Sequence, residues 1–219
     1  MSKICTIPIS ELSKLTSIYT EENRDYIEQE TFIIPDYQRG YRWEAEIHVS
    51  ALLNDVLDFM NMSRSTDDRY CLQPIVVSRS AVSKNAWEVI DGQQRLTTLY
   101  LLLKDLDLDT FNIEFETRTL TNDFLKKLIN ENAADHSRPD FHFMSDAWIK
   151  INNWIGEHKK QKLKYAATLL ENVHVIWYDI ESTDRETNID VFNRLNIGKI
   201  ALTDAELVKA LILSKIKGL

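Results

Sequence analysis

The chain has 219 residues, of which 44% are hydrophobic and 27% charged, and this composition provides enough apolar material for the core of a globular domain. Aspartate and glutamate number 34 against 26 lysines and arginines, so the formal net charge of −8 excludes attraction of nucleic acid or anionic membranes over the whole surface. The five glycines lie far apart, which excludes the P-loop G-x-x-x-x-G-K-[ST] and the dinucleotide-binding turn G-x-G-x-x-G. A contact to DNA must therefore come from a local basic surface, and a nucleotide site from another backbone arrangement.

Cysteines, histidines and apolar runs exclude further classes. Cys5 and Cys71 are too few for a disulfide framework or a zinc clip, and Cys71 is expected to be buried as a small hydrophobic residue. The five histidines show no metal-ligand spacing, so we expect no structural metal. The longest apolar run, residues 99–103, is far too short to span a membrane. The sequence thus predicts a cytoplasmic protein without membrane contact.

The first part of the chain predicts short strands and amphipathic helices. A helix is expected after Pro8, with Ser10 as its N-cap. The apolar face of this helix consists of Leu12, Leu15 and Ile18. Strands are expected at 31–34, 72–77, 87–90 and 111–115, with a hairpin or longer turn at 78–85. Further helices are expected from Glu44, from Leu96 and over 122–130.

The second part of the chain predicts helices and a single strand. A linker is expected at 132–140, followed by a helix over 145–157 and a strand over 173–180. Thr183 and Thr203 each precede a glutamate by three positions, a capping-box pattern that predicts two more helices. We therefore expect a core of residues 1–131 and a helical extension of residues 132–219, whose strand returns to that core.

The strongest chemical signal is D-G-Q-Q-R at residues 91–95, where a predicted strand runs into a predicted helix. A helix N-terminus offers free backbone N–H groups and a positive dipole, which together form an anion site. Gly92 would let phosphate approach the backbone, Arg95 would supply charge, and Gln93 or Gln94 would orient a water molecule. Asp91 could hold magnesium or polarise that water. In the alternative interpretation, Asp91 is only an N-cap and the glutamines form a solvated first turn.

Two further segments combine cations with aromatic or amide groups. Residues 36–43 hold Arg39 and Arg42 among three aromatic residues, a combination that suits holding a phosphate backbone while stacking on a base or sugar. The alternative is a structured loop whose aromatic side chains cover the edge of the core. Residues 193–199 also have a plain alternative, a helix C-terminus capped by Asn196 or Gly198.

Four segments in order carry a resemblance that extends over nearly the whole chain. They are I-P-D-Y-Q-R-G-Y-R-W at 34–43, Y-C-L-Q-P-I-V-V at 70–77, W-E-V-I-D-G-Q-Q-R-L-T-T-L at 87–99 and V-F-N-R-L-N-I-G-K-I at 191–200. Together with weaker similarities at 115–118 and 141–145, they resemble the N-terminal domain of GmrSD-type restriction and phage-defence proteins. That domain is similar to the ParB/sulfiredoxin fold, which places nucleotide phosphates at a strand–loop–helix junction.

The resemblance implies an α+β fold with a small mixed β-sheet, surrounding helices and a helical second half, in which the junction at 90–96 faces the loop at 36–43. It also implies a sensor of foreign, modified DNA that hydrolyses a nucleoside triphosphate with magnesium. The expected catalytic residues are Asp91, Gln93, Gln94 and Arg95. The expected nucleotide-binding residues are Gly92, Arg95, Asn193, Arg194, Asn196 and Lys199. The expected DNA-binding residues are Tyr37, Gln38, Arg39, Tyr41, Arg42 and Trp43.

Alternatives remain for the location of the nuclease and for the reaction of the domain itself. Nothing in the chain resembles a His-Asn-His metal site, so an HNH-type nuclease is expected in a missing C-terminal domain or in a separate partner. Sulfiredoxin chemistry does not carry over, because it needs a cysteine in the phosphate loop and residues 91–95 contain none. The domain could instead be a non-catalytic DNA- or partner-binding module in which residues 91–95 are structural. Cleavage of nucleic acid by the domain itself is the least favoured reading, because a cluster of metal ligands is missing.

Overall fold

The computed structural model describes residues 3–15, 30–62, 65, 67–80 and 86–197. Within these ranges the chain forms one six-stranded sheet and six α-helices. The strands are Lys3–Pro8 (β1), Thr31–Ile34 (β2), Tyr70–Arg79 (β3), Ala86–Asp91 (β4), Asn112–Phe115 (β5) and Val173–Asp179 (β6). The helices are Ser50–Asn61 (α1), Gln93–Asp105 (α2), Thr119–Glu131 (α3), Pro139–Glu157 (α4), Lys162–Glu171 (α5) and Arg185–Ile197 (α6).

The sheet is mixed, with the strand order β1-β6-β3-β4-β2-β5. β1 is antiparallel to β6 and β3 is antiparallel to β4, whereas β3 is parallel to β6 and β2 is parallel to both β4 and β5. The expected α+β class with a mixed sheet is therefore confirmed. The antiparallel pairing of β3 and β4 is compatible with the hairpin or longer turn expected between them. β6 lies between β1 and β3, so the strand of the second part of the chain belongs to the central sheet.

The core lies on the central strands, which are apolar on both faces. β6 is buried at six of its seven positions. Its Trp177 contacts Trp87 of β4 edge to face, with ring centroids 5.0 Å apart. Phe32 of β2 also packs against Trp177. The core cluster takes side chains from both expected parts of the chain, 1–131 and 132–219, and the boundary between these parts stays a prediction.

The N-terminal segment differs from the expectation. β1 is an edge strand that pairs with β6, although no strand was expected there. After it, Ile9–Glu11 forms a single 3₁₀ turn whose N-cap is Pro8, so the prediction of Ser10 as an N-cap is wrong. The two leucines that follow are buried as expected, whereas Ile18 lies outside the described residues.

Two helices of the second part of the chain also differ. α4 begins at Pro139, six residues before the predicted start, and takes in the last two residues of the expected linker at 132–140. The reason is that proline is well suited to the first position of a helix, because its missing N–H is not needed there. α5 has no counterpart among the predicted elements. Lysines alternate with apolar residues over its first four positions, which blurs the helical period in the sequence.

The start of α6 is capped by Asp184. Its carboxylate accepts a hydrogen bond from the backbone N–H of Thr187, 2.9 Å away. The predicted capping box that begins at Thr183 is therefore wrong by one residue, although the helix itself is present. Gly198 and the helix expected from Thr203 lie outside the described residues.

Expectations drawn from composition have mixed outcomes. Cys71 is exposed, so the prediction that it is buried is wrong. It lies in the first half of β3, where Leu72 is the only fully buried residue before Ile75. Among the helices of the described residues, none combines the length and the hydropathy that a membrane span requires.

Candidate functional site at the strand-to-helix junction

The chain turns from β4 into α2 at a single glycine. β4 ends at Asp91, and Gly92 has a φ of +95°, a left-handed conformation that residues with a Cβ rarely adopt. The carbonyl oxygen of Gly92 accepts a helical hydrogen bond from the N–H of Leu96, 3.0 Å away. Gly92 rather than Asp91 is therefore the N-cap of α2, and this N-cap residue makes no side-chain capping hydrogen bond.

The polar side chains at this junction are buried. Asp91 is exposed, but Gln93, Gln94 and Arg95 keep only 8–9% of their surface accessible. The alternative of a capping aspartate followed by a solvated first turn is therefore wrong. Buried amides need hydrogen-bond partners inside the protein. The two glutamines have theirs in the loop of residues 36–43, which we call the arginine loop.

Both glutamines bind the backbone of the arginine loop. The side-chain amide of Gln93 donates to the carbonyl oxygen of Arg39, 2.7 Å away. Gln94 donates to the carbonyl oxygen of Gly40 at 3.0 Å and accepts from the backbone N–H of Arg42 at 2.7 Å. The expectation that the junction faces this loop is confirmed.

The arginine loop binds β4 and α2 in return. Gln38 is buried and donates from its side-chain amide to the carbonyl oxygens of Ile90, at 2.9 Å, and Val89. Tyr41 is also buried, and its hydroxyl shares a hydrogen bond of 2.8 Å with the hydroxyl of Thr98. Burial raises the pKa of Tyr41 well above the ordinary value for tyrosine. Because β2 and β4 are parallel neighbours, the chain that leaves β2 lies beside the end of β4, which explains the proximity of the loop to the junction.

α6 packs against the first part of the arginine loop. The hydroxyl of Tyr37 donates to the Glu88 carboxylate at 2.8 Å, and its ring centroid lies 5.1 Å from that of Phe192 on α6. Burial, and then the hydrogen bond to Glu88, raise the pKa of Tyr37 far above its usual range. Arg185, at the start of α6, forms an ion pair with Asp36. The position of this loop thus depends on a helix more than a hundred residues later in the sequence.

The remaining nucleotide-binding residues expected from the sequence lie on or beyond α6. Asn193 and Arg194 are exposed there, and within the described residues no hydrogen bond joins either of them to the junction. The side chain of Asn196 and the whole of Lys199 lie outside the described residues. A role for these four residues in nucleotide binding stays a prediction.

Arg95 reaches from the junction to β3. Its guanidinium donates to the carbonyl oxygens of Gln73, at 3.1 Å, and Pro74, at 2.6 Å, and to the side-chain oxygen of Gln73 at 2.6 Å. Arg95 also lines a cavity of about 480 Å³ between α1 and β3, together with Trp43 and His48. The rings of Trp43 and His48 are stacked, with 15° between their planes and 5.7 Å between their centroids. We call this space the tryptophan cavity, and its volume is typical of a small-molecule site.

The end of the arginine loop joins charged side chains at the starts of α3 and α4. Arg42 forms an ion pair with one carboxylate oxygen of Asp140, and Arg118 donates to the other at 2.9 Å. Gly40 passes so close that a Cβ at this position would lie 2.2 Å from that carboxylate. Sequence reasoning missed Arg118 and Asp140. The weaker family similarity at 115–118 contains Arg118, and the one at 141–145 begins directly after Asp140. These two segments were the available signal for both residues.

One further cluster could hold a metal ion. Within the described residues, His136, His142 and Asp146 form a group of three possible ligands. Nε2 of His136 lies 2.9 Å, and Nε2 of His142 lies 3.4 Å, from the carboxylate oxygens of Asp146. Two imidazoles and a carboxylate suit Zn²⁺, but their spacing matches no common ligand pattern, so the sequence predicted no metal here. Among the residues that the structure describes, Asp91 belongs to no such group of three.

The fold and the site together define an α+β domain in which a polar strand-to-helix junction and an arginine- and aromatic-rich loop form one hydrogen-bonded unit. Residues 15–213 match the model of the family described as GmrSD restriction endonuclease, N-terminal domain. Because the match covers most of the chain, the chain belongs to this family, a family of restriction and phage-defence proteins, and the resemblance found in the sequence is confirmed. A comparison with curated proteins found no match.

Proposed function

We propose that the chain is a nucleoside-triphosphate-binding and -hydrolysing sensor domain of a restriction system that acts on foreign, modified DNA. Residues 91–95 take part in hydrolysis, the arginine loop senses DNA, and the contact between them makes hydrolysis depend on DNA. The outcome licenses an HNH-type nuclease located in another domain or partner. The observation that carries the proposal is the set of hydrogen bonds by which Gln93 and Gln94 hold the arginine loop.

These hydrogen bonds support a coupling of hydrolysis to DNA binding, because they join a candidate DNA surface directly to the helix N-terminus at residues 91–95. Arg39 is exposed on the loop and available to a phosphate backbone, while its own carbonyl oxygen is held by Gln93. A shift of the loop on DNA therefore breaks these bonds or moves the start of α2. Gln94 becomes free to orient a water molecule only when the loop releases it. Hydrolysis is then low until DNA is bound.

The tryptophan cavity supports nucleotide binding beside the junction. The ring of Trp43 offers a stacking face for a base, and the Arg95 guanidinium offers charge for the phosphates. The contacts of Arg95 to Gln73 and Pro74 fix its orientation in advance, as a group that stabilises developing charge requires. Asp91 is the exposed carboxylate of the junction and is available to a water molecule.

The residues present fit a magnesium ion that arrives with the nucleotide. Mg²⁺ commonly takes one or two protein carboxylates and completes its shell with phosphate oxygens and water. Asp91 offers one exposed carboxylate and is not part of a preformed group of three ligands among the described residues. When bound, the ion would neutralise charge on the phosphates. Asp91 would be the residue that holds it.

Phosphate release from the purified chain tests the proposal. A panel of nucleoside triphosphates with magnesium is assayed alone, with plasmid DNA and with DNA from a phage that modifies its bases. We expect turnover of at least one nucleotide, which DNA increases. Asp91→Asn should reduce turnover by at least about tenfold, the contribution typical of a positioned acid–base group. Asp58→Asn changes another exposed carboxylate, on α1, and should leave turnover unchanged.

The second candidate is a non-catalytic binding module in which residues 91–95 are structural. The observation that favours it is that Gln93, Gln94 and Arg95 already have backbone partners within the protein. This module would bind DNA through the arginine loop and release no phosphate. Absence of turnover with every nucleotide, together with retained DNA binding, would establish this candidate and overturn the first.

A further inference from the structure

Three arginines from three separate elements line one cavity of about 460 Å³. They are Arg42 from the arginine loop, Arg118 before α3 and Arg138 before α4. Among the described residues that line the cavity, Asp140 is the one carboxylate, and it is already bonded to two of the arginines. The cavity, which we call the arginine pocket, therefore carries excess positive charge in a chain whose formal net charge is −8.

The two arginines at the helix starts occupy unusual positions. Arg118 is the N-cap residue of α3 and Arg138 is the N-cap residue of α4, and neither makes a side-chain capping hydrogen bond. Arginine has no acceptor atom to offer the first N–H groups of a helix, and its charge adds to the positive end of the helix dipole. The first turn of α3 also contains no acidic residue. The first turn of α4 contains Asp140, which is paired with Arg118. Neither arginine caps its helix, and both positions suit a bound anion.

The remaining contacts of the pocket leave charge available. Arg118 donates to Asp140 and, at 3.3 Å, to the carbonyl oxygen of Gln38, and about a third of its side chain is exposed. The guanidinium of Arg138 lies over the ring of Phe141, 5.7 Å from its centroid. Asp140 orients Arg42 and Arg118, and within the described residues it forms no ion pair with Arg138. Arg138 interacts electrostatically with the carboxylate of Asp135, which is not among the lining residues. Guanidinium groups in such an array match the oxygens of a phosphate group in pairs.

We propose that the arginine pocket binds a phosphate group, with Arg118 and Arg138 as its principal ligands and Arg42 beside them. The phosphate belongs to a DNA backbone or to a nucleotide, and the recognition chemistry is the same for both. Because the backbone N–H of Arg42 is bound to Gln94, a ligand in this pocket contacts the same loop that holds the junction. The inference concerns binding alone and stands whether or not residues 91–95 hydrolyse a nucleotide.

The test measures binding without turnover. The full chain is titrated calorimetrically at low salt with inorganic pyrophosphate, with a non-hydrolysable nucleoside triphosphate and with a short DNA duplex. We expect at least one of the three to bind, and the duplex and triphosphate titrations identify the source of the phosphate. Arg138→Ser should weaken that binding by about tenfold or more, the loss expected when one charge-assisted hydrogen bond is removed.

Two readouts separate a ligand site from a structural role. Arg138 has the extended backbone conformation of a normal N-cap, so serine can cap α4 there, and the free variant should melt about 2–4 °C higher than the wild type. Lys127→Ser removes an exposed positive charge from α3 and should leave binding unchanged. Equal binding by Arg138→Ser and wild type would overturn the proposal, as would a wild type that binds none of the three ligands.

Discussion

The side-chain amide of Gln94 donates to the carbonyl oxygen of Gly40 at a distance of 3.0 Å. The oxygen of the same amide group accepts a hydrogen bond from the backbone N–H of Arg42, two residues further along the loop. One side chain on the first turn of α2 thus satisfies an acceptor and a donor of the arginine loop, as a neighbouring strand would. A glutamate could not donate to Gly40, and an aliphatic side chain could do neither.

Gln94→Ala should destabilise the protein by about 1–3 kcal/mol, because it leaves a buried carbonyl oxygen and a partly buried N–H without partners. The measurement is the free energy of unfolding in urea at neutral pH. Gln161→Ala is the matched control, since Gln161 is exposed in the turn before α5 and should change stability by less than about 0.5 kcal/mol. If the two variants unfold at the same urea concentration, the glutamine does not hold the loop.

The fold was predictable where local pattern and burial agree. β3, β4 and α2 appear in the sequence as β-branched or leucine-spaced runs, and the structure places them within three residues of the predicted bounds. β1 was missed because it is a short edge strand with interleaved polar residues, and its pairing with β6 is a contact across most of the chain. Such long-range pairing leaves no local signal.

The site was predictable as a set of segments but not as a set of contacts. The position of residues 91–95 at a strand-to-helix junction follows from local pattern, and the parallel pairing of β2 with β4 brings the arginine loop to it. That the glutamines point into the protein rather than into solvent depends on this tertiary neighbour. The contact between Asp140 and Arg42 could not be predicted from local pattern, because these residues meet only after α4 has packed beside the loop.

Gly40→Ala should destabilise the protein by about 1–3 kcal/mol through overpacking. A Cβ at this position would lie 2.2 Å from the Asp140 carboxylate, which Arg42 and Arg118 hold in place. Gly156→Ala is the opposite case. Among the described residues, no atom lies within 4 Å of a Cβ added at this position in α4, so the substitution should stabilise by up to about 1 kcal/mol. Urea unfolding of both variants measures whether the free energy of unfolding falls or rises. A stabilised Gly40→Ala would contradict the packing around Asp140.

Stability should decrease in alkaline solution because of Tyr70, which is partly buried. Burial, and then a hydrogen bond to Asp55, raise the pKa of Tyr70 to about 12 from its ordinary value of 10.0. A raised pKa means that the fold favours the neutral phenol, so the contribution of Tyr70 is complete below pH 10 and is lost as the pH rises through about 12. The measurement is urea unfolding of wild type and Tyr70→Phe across this range. Relative to wild type, the variant should gain stability as the pH rises, and a constant difference would refute the assignment.

Stability should also decrease in mildly acidic solution because of His174. This residue is buried in β6, where its Nδ1 has no hydrogen-bond partner among the described residues. Burial, and then the nearby charge of Arg69, lower the pKa of His174 below its ordinary value of 6.5.

A lowered pKa means that the fold favours the neutral imidazole. The contribution of His174 is therefore complete above pH 6.5 and is lost as the pH falls through the lower pKa of the folded state, because the unfolded chain takes up the proton first. His174→Gln keeps a neutral polar side chain and should lose less stability than wild type between pH 7.5 and pH 5, as measured by urea unfolding. Carboxylates titrate equally in both proteins, so the difference between the two slopes isolates His174. Parallel slopes would show that this histidine is protonated in the fold as easily as in water.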